Sequence, residues 1–266
     1  MEELLRIIHL SDLHIGKSNN LEKSKIIFDW IIENRDIHQS QLVVISGDVV
    51  DDGQIWQFKP ARELVESLRS NGYLVLVVPG NHDYGPEGIT ESSKSSRDFR
   101  KLISGIADFP ALFKVDGQAF VLLDSMAGEM KKREFWGAQG YLGAEQLINL
   151  DLLLEELAED PDVINVVLVL HHHPFDFLSY HGLRDNADLK SVISRRREGP
   201  PRVNVLLFGH KHLERRFNDP EDNKEELFGI DMIYASGQTV ERNQDGKMVL
   251  PVINLIEKTL DRYFIG

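Results

Sequence analysis

Six short runs of Val, Ile and Leu punctuate this chain, and the segments between them carry apolar residues at helical spacing. The runs are Leu4–Leu10, Leu42–Ile45, Leu74–Val78, Phe120–Leu123, Val163–Leu170 and Val203–Phe208. Runs of this length without polar alternation mark strands buried on both faces. The amphipathic segments fall at roughly 21–35, 57–71, 92–104, 144–159 and 186–197, the first of them aligning Leu21, Ile26, Ile27, Trp30 and Ile31. Strand–helix alternation predicts an α/β core. After Phe208 the pattern changes to two further expected strands, Glu226–Tyr234 and Met248–Ile256, with the turn signal Asp245-Gly246 between them. No internal repeat or low-complexity linker interrupts the 266 residues, so the expected organisation is one domain over 1–266.

The residues just past each run are more specific than the runs themselves. The first run leads into Asp12-Leu13-His14 and the second into Gly47-Asp48. The third leads into Gly80-Asn81-His82-Asp83, the run at 163–170 into His171-His172-His173-Pro174, and the run at 203–208 into Gly209-His210-Lys211-His212. Each segment alone reads equally well as a loop, because Asp, Asn and Gly are ordinary turn residues. Together they hold seven of the chain's ten histidines. In α/β sheets the carboxyl ends of the strands open onto one crevice, so five such ends can deliver their side chains to one place.

The residue types suit a pair of cations. Asp48 can bridge two ions through its two oxygens, and Asp12 and His14, alternating along extended chain, can face one ion with His212. Asn81, one of the histidines at 171–173, and His210 can hold the other. Gly47, Gly80 and Gly209 let the backbone approach closely. The chain has no cysteine, which excludes thiolate ligands, disulfides and a cysteine nucleophile. Imidazole, carboxylate and amide ligands suit Mn, Fe, Zn or Co.

These blocks, taken in order over about residues 8–212, resemble those of the calcineurin-like metallophosphoesterases. The resemblance implies a four-layer α/β/β/α sandwich of two mixed β-sheets with the metal site at the strand C-terminal ends. It implies one metal held by Asp12, His14, Asp48 and His212 and a second held by Asp48, Asn81, His172 and His210. His172 is the member of the triple histidine two positions before the proline, and His171 and His173 become supporting or pocket residues. Mn or Fe are the favoured ions. Leu123-Asp124-Ser125, the stretch Gly140–Leu147 and the His-His-His-Pro block are similar to the cyclic-nucleotide-phosphodiesterase-like members, with Phe175 where a second proline is usual.

The expected chemistry is hydrolysis of a small phosphodiester such as a cyclic nucleotide, by in-line attack of a metal-bridging hydroxide. His82 would serve the leaving group, with Asp83 orienting its ring. The same cluster supports a phosphomonoesterase or a nucleotide pyrophosphatase. A scaffold that keeps the fold without catalysis is the alternative from another class. Leu10–Gly16 also resembles the opening of DNA-repair nucleases, but a net charge of −13 argues against duplex nucleic acid as a partner. The basic runs Lys131-Lys132-Arg133 and Arg195-Arg196-Arg197 read as solvated faces. His9 reads as a core histidine, and His38 and His181 fall in expected loops. Trp136 is a candidate pocket wall. The N-terminus lacks a leader pattern and no apolar stretch approaches a membrane span, so the expected setting is cytoplasmic, and analogy allows a homodimer.

Overall fold

The computed structural model describes residues 5–86, 92–127, 138–175, 181–195, 203–217 and 228–266. Two β-sheets face each other and each carries helices on its outer side. The first sheet has the order β11-β10-β1-β2-β3, with β1 Arg6–Leu10, β2 Leu42–Ile45, β3 Leu74–Val77, β10 Met248–Asn254 and β11 Thr259–Ile265. The second has the order β4-β5-β6-β7-β9-β8, with β4 Ala111–Val115, β5 Gln118–Leu122, β6 Asn165–Val169, β7 Val203–Phe208, β8 Arg215–Phe217 and β9 Met232–Ala235. Both sheets are mixed. β1, β2 and β3 run parallel, as do β5, β6, β7 and β9, while β10, β11, β4 and β8 pair antiparallel with their neighbours.

Side-chain alternation divides the apolar residues into three layers. Ile8, Leu10, Val43 and Ile45 point outward and pack under α1 (Asn20–Glu33) and α3 (Ile55–Ser70). Val121, Val166, Leu168 and Leu206 point outward from the second sheet, under α6 (Ala144–Glu159) and α7 (Asn186–Ser194). Between the sheets lie Ile7, Leu42, Val44 and Leu76 from one side and Phe120, Val167, Val205 and Leu207 from the other. The runs are apolar throughout because each strand buries both faces. This is the expected four-layer α/β/β/α sandwich.

Several expectations are corrected in detail. The strand expected from Glu226 begins at Met232 and ends at Ala235, and 226–227 lie outside the described residues. The helix expected over 92–104 is an α-helix, α5 (Ser93–Phe99), that continues as a π-helical turn at Arg100–Ser104. His38 is buried in a short helical turn, α2 (Arg35–His38), where its Nε2 meets the Ile31 carbonyl at 2.8 Å. Strands β4, β8 and β11 were not anticipated. Trp136, the run at 131–133 and Arg196-Arg197 lie outside the described residues. Among the described residues no helix is long and apolar enough to cross a membrane.

Candidate metal centre

The parallel strands of both sheets end at the same rim. From the first sheet, β1 delivers Asp12 and His14, β2 delivers Asp48, and β3 passes through Gly80 into the short helix α4 (Asn81–Tyr84). From the second, β6 delivers the triple histidine and β7 delivers His210 and His212. Five of these side chains sit on left-handed backbone: Asp12 (φ 55°), His14 (φ 44°), Asp48 (φ 51°), His210 (φ 77°) and His212 (φ 55°). Non-glycine residues avoid that region, and where they cluster in it the surrounding fold is holding them for a purpose. Two glycines make room. A β-carbon on Gly47 would lie 2.5 Å from His171 Nδ1, and one on Gly80 would strike the Asp48 carboxylate.

Two groups result, buried except for the half-exposed His212, and they share Asp48. In the first, His14 Nε2 lies 3.1 Å from His212 Nε2, 3.8 Å from Asp48 Oδ2 and 3.9 Å from Asp12 Oδ1, with His212 Nε2 3.3 Å from the same Asp12 oxygen. In the second, His171 Nε2 lies 3.2 Å from Asp48 Oδ2, 3.2 Å from Asn81 Oδ1 and 3.1 Å from His210 Nδ1. Each carboxylate has one oxygen fixed by a backbone N–H: Asp12 Oδ2 accepts from His210 and Asp48 Oδ1 accepts from His82. The other oxygen of each turns inward, and Asp12 Oδ1 is buried without a hydrogen bond.

The tautomers are fixed from behind. His171 Nδ1 lies 2.7 Å from the Ser46 carbonyl, which can only accept, so the proton sits on Nδ1 and the Nε2 lone pair faces inward. His14 does the same toward Asp51 Oδ1 at 2.9 Å. Two ring nitrogens and two carboxylate oxygens thus converge as the atoms that a cation would draw on. The donor set is nitrogen and oxygen with no sulfur, and it fits a pair of divalent transition-metal ions.

The electrostatics agree. Burial alone would lower His171, but the charge and hydrogen bond of Asp48 lift it to about 9, so without an ion a proton on Nε2 fills the place between His171 and Asp48 that a cation would take. Burial works against ionised Asp48, yet the imidazoles of His171, His82 and His14 hold its carboxyl well below the usual range. Burial and the neighbouring Asp48 charge push Asp83 up to about 7.

Of the expected site residues, the structure brings together Asp12, His14, Asp48, Asn81, His210 and His212, and sets His82 at their edge with its ring 4.6 Å from that of His14. In the second group it sets His171 against Asp48, Asn81 and His210, while His172 leaves its buried Nε2 without a hydrogen bond beside the His210 ring. The ring of His171 reaches across Gly47 to the first sheet, whereas His172 turns toward Ser125, its Nδ1 2.7 Å from that hydroxyl. His173 joins Phe175, Phe208 and Phe217 in an aromatic cluster. Nor does Asp83 reach the His82 ring, since its carboxylate oxygens accept from the backbone N–H groups of Val50 and Gly80, both at 2.9 Å. His82 Nδ1 donates instead to the Asp51 carbonyl at 2.7 Å. Asp51, absent from the expected set, therefore touches both His14 and His82; its signal was a third carboxylate three residues past Asp48. His181 stands at the rim with its ring 5.7 Å from that of His210.

A family model for calcineurin-like phosphoesterases matches residues 5–214. The chain belongs to the calcineurin-like phosphoesterases. Within this phosphoesterase family it is 25% identical over 223 residues to the 3',5'-cyclic adenosine monophosphate phosphodiesterase CpdA of Haemophilus influenzae, covering 79% of this chain and 71% of that one. It is 35% identical over 88 residues to one subunit of the nuclease SbcCD of Escherichia coli K12, covering 30% of this chain and 21% of that one. The match thus spans about a fifth of the nuclease subunit's length. In structure it resembles the purple acid phosphatase PPD1 from yellow lupin seeds, with a TM-score of 0.62 and 12% identity over 98% of this chain and 53% of that one. Family and relatives support a metal-dependent hydrolase of ester bonds.

Proposed function

We propose that this phosphoesterase hydrolyses a small phosphodiester, a cyclic nucleotide among the candidates, at two divalent cations. Asp12, His14, Asp48 and His212 would hold one ion, and Asp48, Asn81, His171 and His210 the other. The observation that carries the reading is the pair of largely buried His/Asp groups joined through one carboxylate. Such a pair, when bound, would lower the pKa of a bound water and neutralise phosphoryl oxygens.

The remaining chemistry belongs to the protein. The His82 backbone N–H anchors Asp48, and its imidazole, fixed through Nδ1 on the Asp51 carbonyl, keeps Nε2 free to protonate the departing alkoxide. Asp51 holds His14 and His82 in one frame, so a ligand and a proton donor move together. The likeness to CpdA over most of the chain supports the diester class. Mn or Fe as the ions and a homodimer belong to the same proposal and rest on the resemblance, and a cytoplasmic setting is proposed with them from the sequence pattern alone.

The test is hydrolysis of bis(p-nitrophenyl) phosphate against p-nitrophenyl phosphate by Mn²⁺-loaded protein, with Asp48→Asn as control. Faster diester cleavage, lost by at least 100-fold in the variant, is expected. A monoester preference overturns the diester assignment, and cleavage retained by Asp48→Asn after metal removal overturns the mechanism.

A further inference from the structure

A cavity of about 300 Å³ lies beside His212, in the gap where β9 and the segment after it face β10. That volume is at the lower end of the range for sites that enclose a small organic ligand. His212 belongs both to the cavity wall and to the first ion group, so a group held in the cavity sits next to the place of a bound phosphoryl.

The segment that forms the wall is clamped to the same strand end as the ion group. Thr239 Oγ1 accepts the Ser11 N–H at 2.9 Å, and the Thr239 N–H donates to the Ser11 carbonyl at 3.1 Å, one residue before Asp12. Asn243 is fixed through its Oδ1, which accepts the backbone N–H groups of Asp245 and Lys247, both at 3.0 Å. Its Nδ2 is left over. Gln238 and Asn243 are half-buried, and among the described residues neither the Gln238 amide nor Asn243 Nδ2 has a hydrogen-bond partner.

The rest of the lining decides what such amides can serve. Val249 and Pro251 give an apolar wall. Glu214 is occupied by the Tyr234 hydroxyl and by Arg262, and Glu241 is matched by Arg242, so the charges cancel and nothing there calls for a second phosphate. An apolar wall with amide groups and no net charge suits an uncharged, flat group that has a hydrogen-bonding edge. An amide sets a donor beside an acceptor, the pattern that pairs bidentately with a base such as adenine.

We propose that this cavity holds the nucleobase of a nucleoside-bearing phosphodiester, with Gln238 and Asn243 reading the edge of the base. The inference rests on the diester reading above and narrows its substrate class.

The test follows the backbone amide resonances of the metal-free protein as adenosine, which carries no phosphate, is added. Saturable shifts centred on 236–244 and Val249 are expected, and ribose alone should leave them unmoved. Gln238→Leu and Asn243→Asp should each weaken adenosine by about 3–10-fold, the worth of one hydrogen bond. Asn243→Asp keeps the oxygen that holds the turn, so it carries the comparison if Gln238→Leu does not fold. In Mn²⁺-loaded protein the same variants should raise KM for cyclic adenosine monophosphate by a similar factor and leave kcat within about twofold. Adenosine that shifts no residue of this segment, or that binds the folded variants as tightly as wild type, overturns the proposal. Equal shifts from ribose overturn recognition of the base. A protein that binds adenosine here yet cleaves no diester keeps the cavity's role and removes the phosphodiesterase reading; one that cleaves diesters while adenosine ignores the cavity does the reverse.

Discussion

Placing an L-residue in left-handed backbone costs about 1–2 kcal/mol, and Asp12, His14, Asp48, His210 and His212 all adopt it. The cost is tolerated because each such kink ends a parallel strand and aims a lone pair at the shared rim. Close packing around these kinks leaves little slack. Gly80→Ala would set a β-carbon 2.5 Å from the Asp48 backbone nitrogen, so loss of one ion and destabilisation of about 1–3 kcal/mol are expected, read by metal content and urea unfolding. His9 makes a different prediction. It is fully buried between the sheets, its Nε2 2.8 Å from Ser46 Oγ, and burial pushes it from 6.5 down to about 3 despite the opposing charge of Asp12. The neutral form is native, so its contribution is complete above pH 6.5 and shrinks as pH falls toward 3, by about 1.4 kcal/mol per unit. His9→Gln should flatten the fall in the urea midpoint between pH 7 and pH 5; an unchanged slope would show that His9 does not drive it. At this scale the residue types were legible from the sequence and their directions were not. Which of His171, His172 and His173 faces Asp48 depends on Ser46, Gly47 and Gly140, which are remote along the chain. Asp83 likewise read as a partner of His82, but the neighbouring backbone N–H groups of Val50 and Gly80 claim both its oxygens.

Helix α4 is a single turn and has little intrinsic stability, yet it carries Asn81 and His82. It is held from the other sheet. Tyr84 at its end donates to Asp124 Oδ2 at 2.7 Å, and Arg100, on the π-helical turn, reaches the same oxygen at 2.9 Å. Asp124 follows β5 and is fully buried. Tyr84→Phe is expected to cost about 1–2 kcal/mol in urea unfolding. Asp124→Ala, which strands the donors of Tyr84, Arg100 and the Met126 backbone, should cost about 3 kcal/mol or more and weaken ion binding as α4 loosens. Wild-type ion affinity in a folded Asp124→Ala protein would show that α4 needs no such anchor. Elements buried on both faces were readable as apolar runs. The missed strands share one property: β4, β8 and β11 lie at sheet edges, where exposed positions interrupt the run, as in the alternation of Thr259–Ile265.

Across the whole molecule the site lies where the two sheets meet. Asp12, His14, Asp48 and Asn81 come from the first sheet; His171, His210 and His212 come from the second. Ions that bind only the assembled state stabilise it by mass action, about 4 kcal/mol at a thousandfold excess over Kd. Chelation should therefore lower Tm by roughly 10 °C for a chain of this size, with Asp48→Asn insensitive to the same treatment; a Tm indifferent to chelator in the wild type would argue against ions at this rim. The inter-sheet layer fixes how the halves face one another, and the candidate ligands meet across that joint, as where His171 approaches Asp48 at 3.2 Å. A bound ion pair is then a rivet between two plates as much as a reagent, and whatever withdraws it slackens the joint and halts the chemistry in the same act.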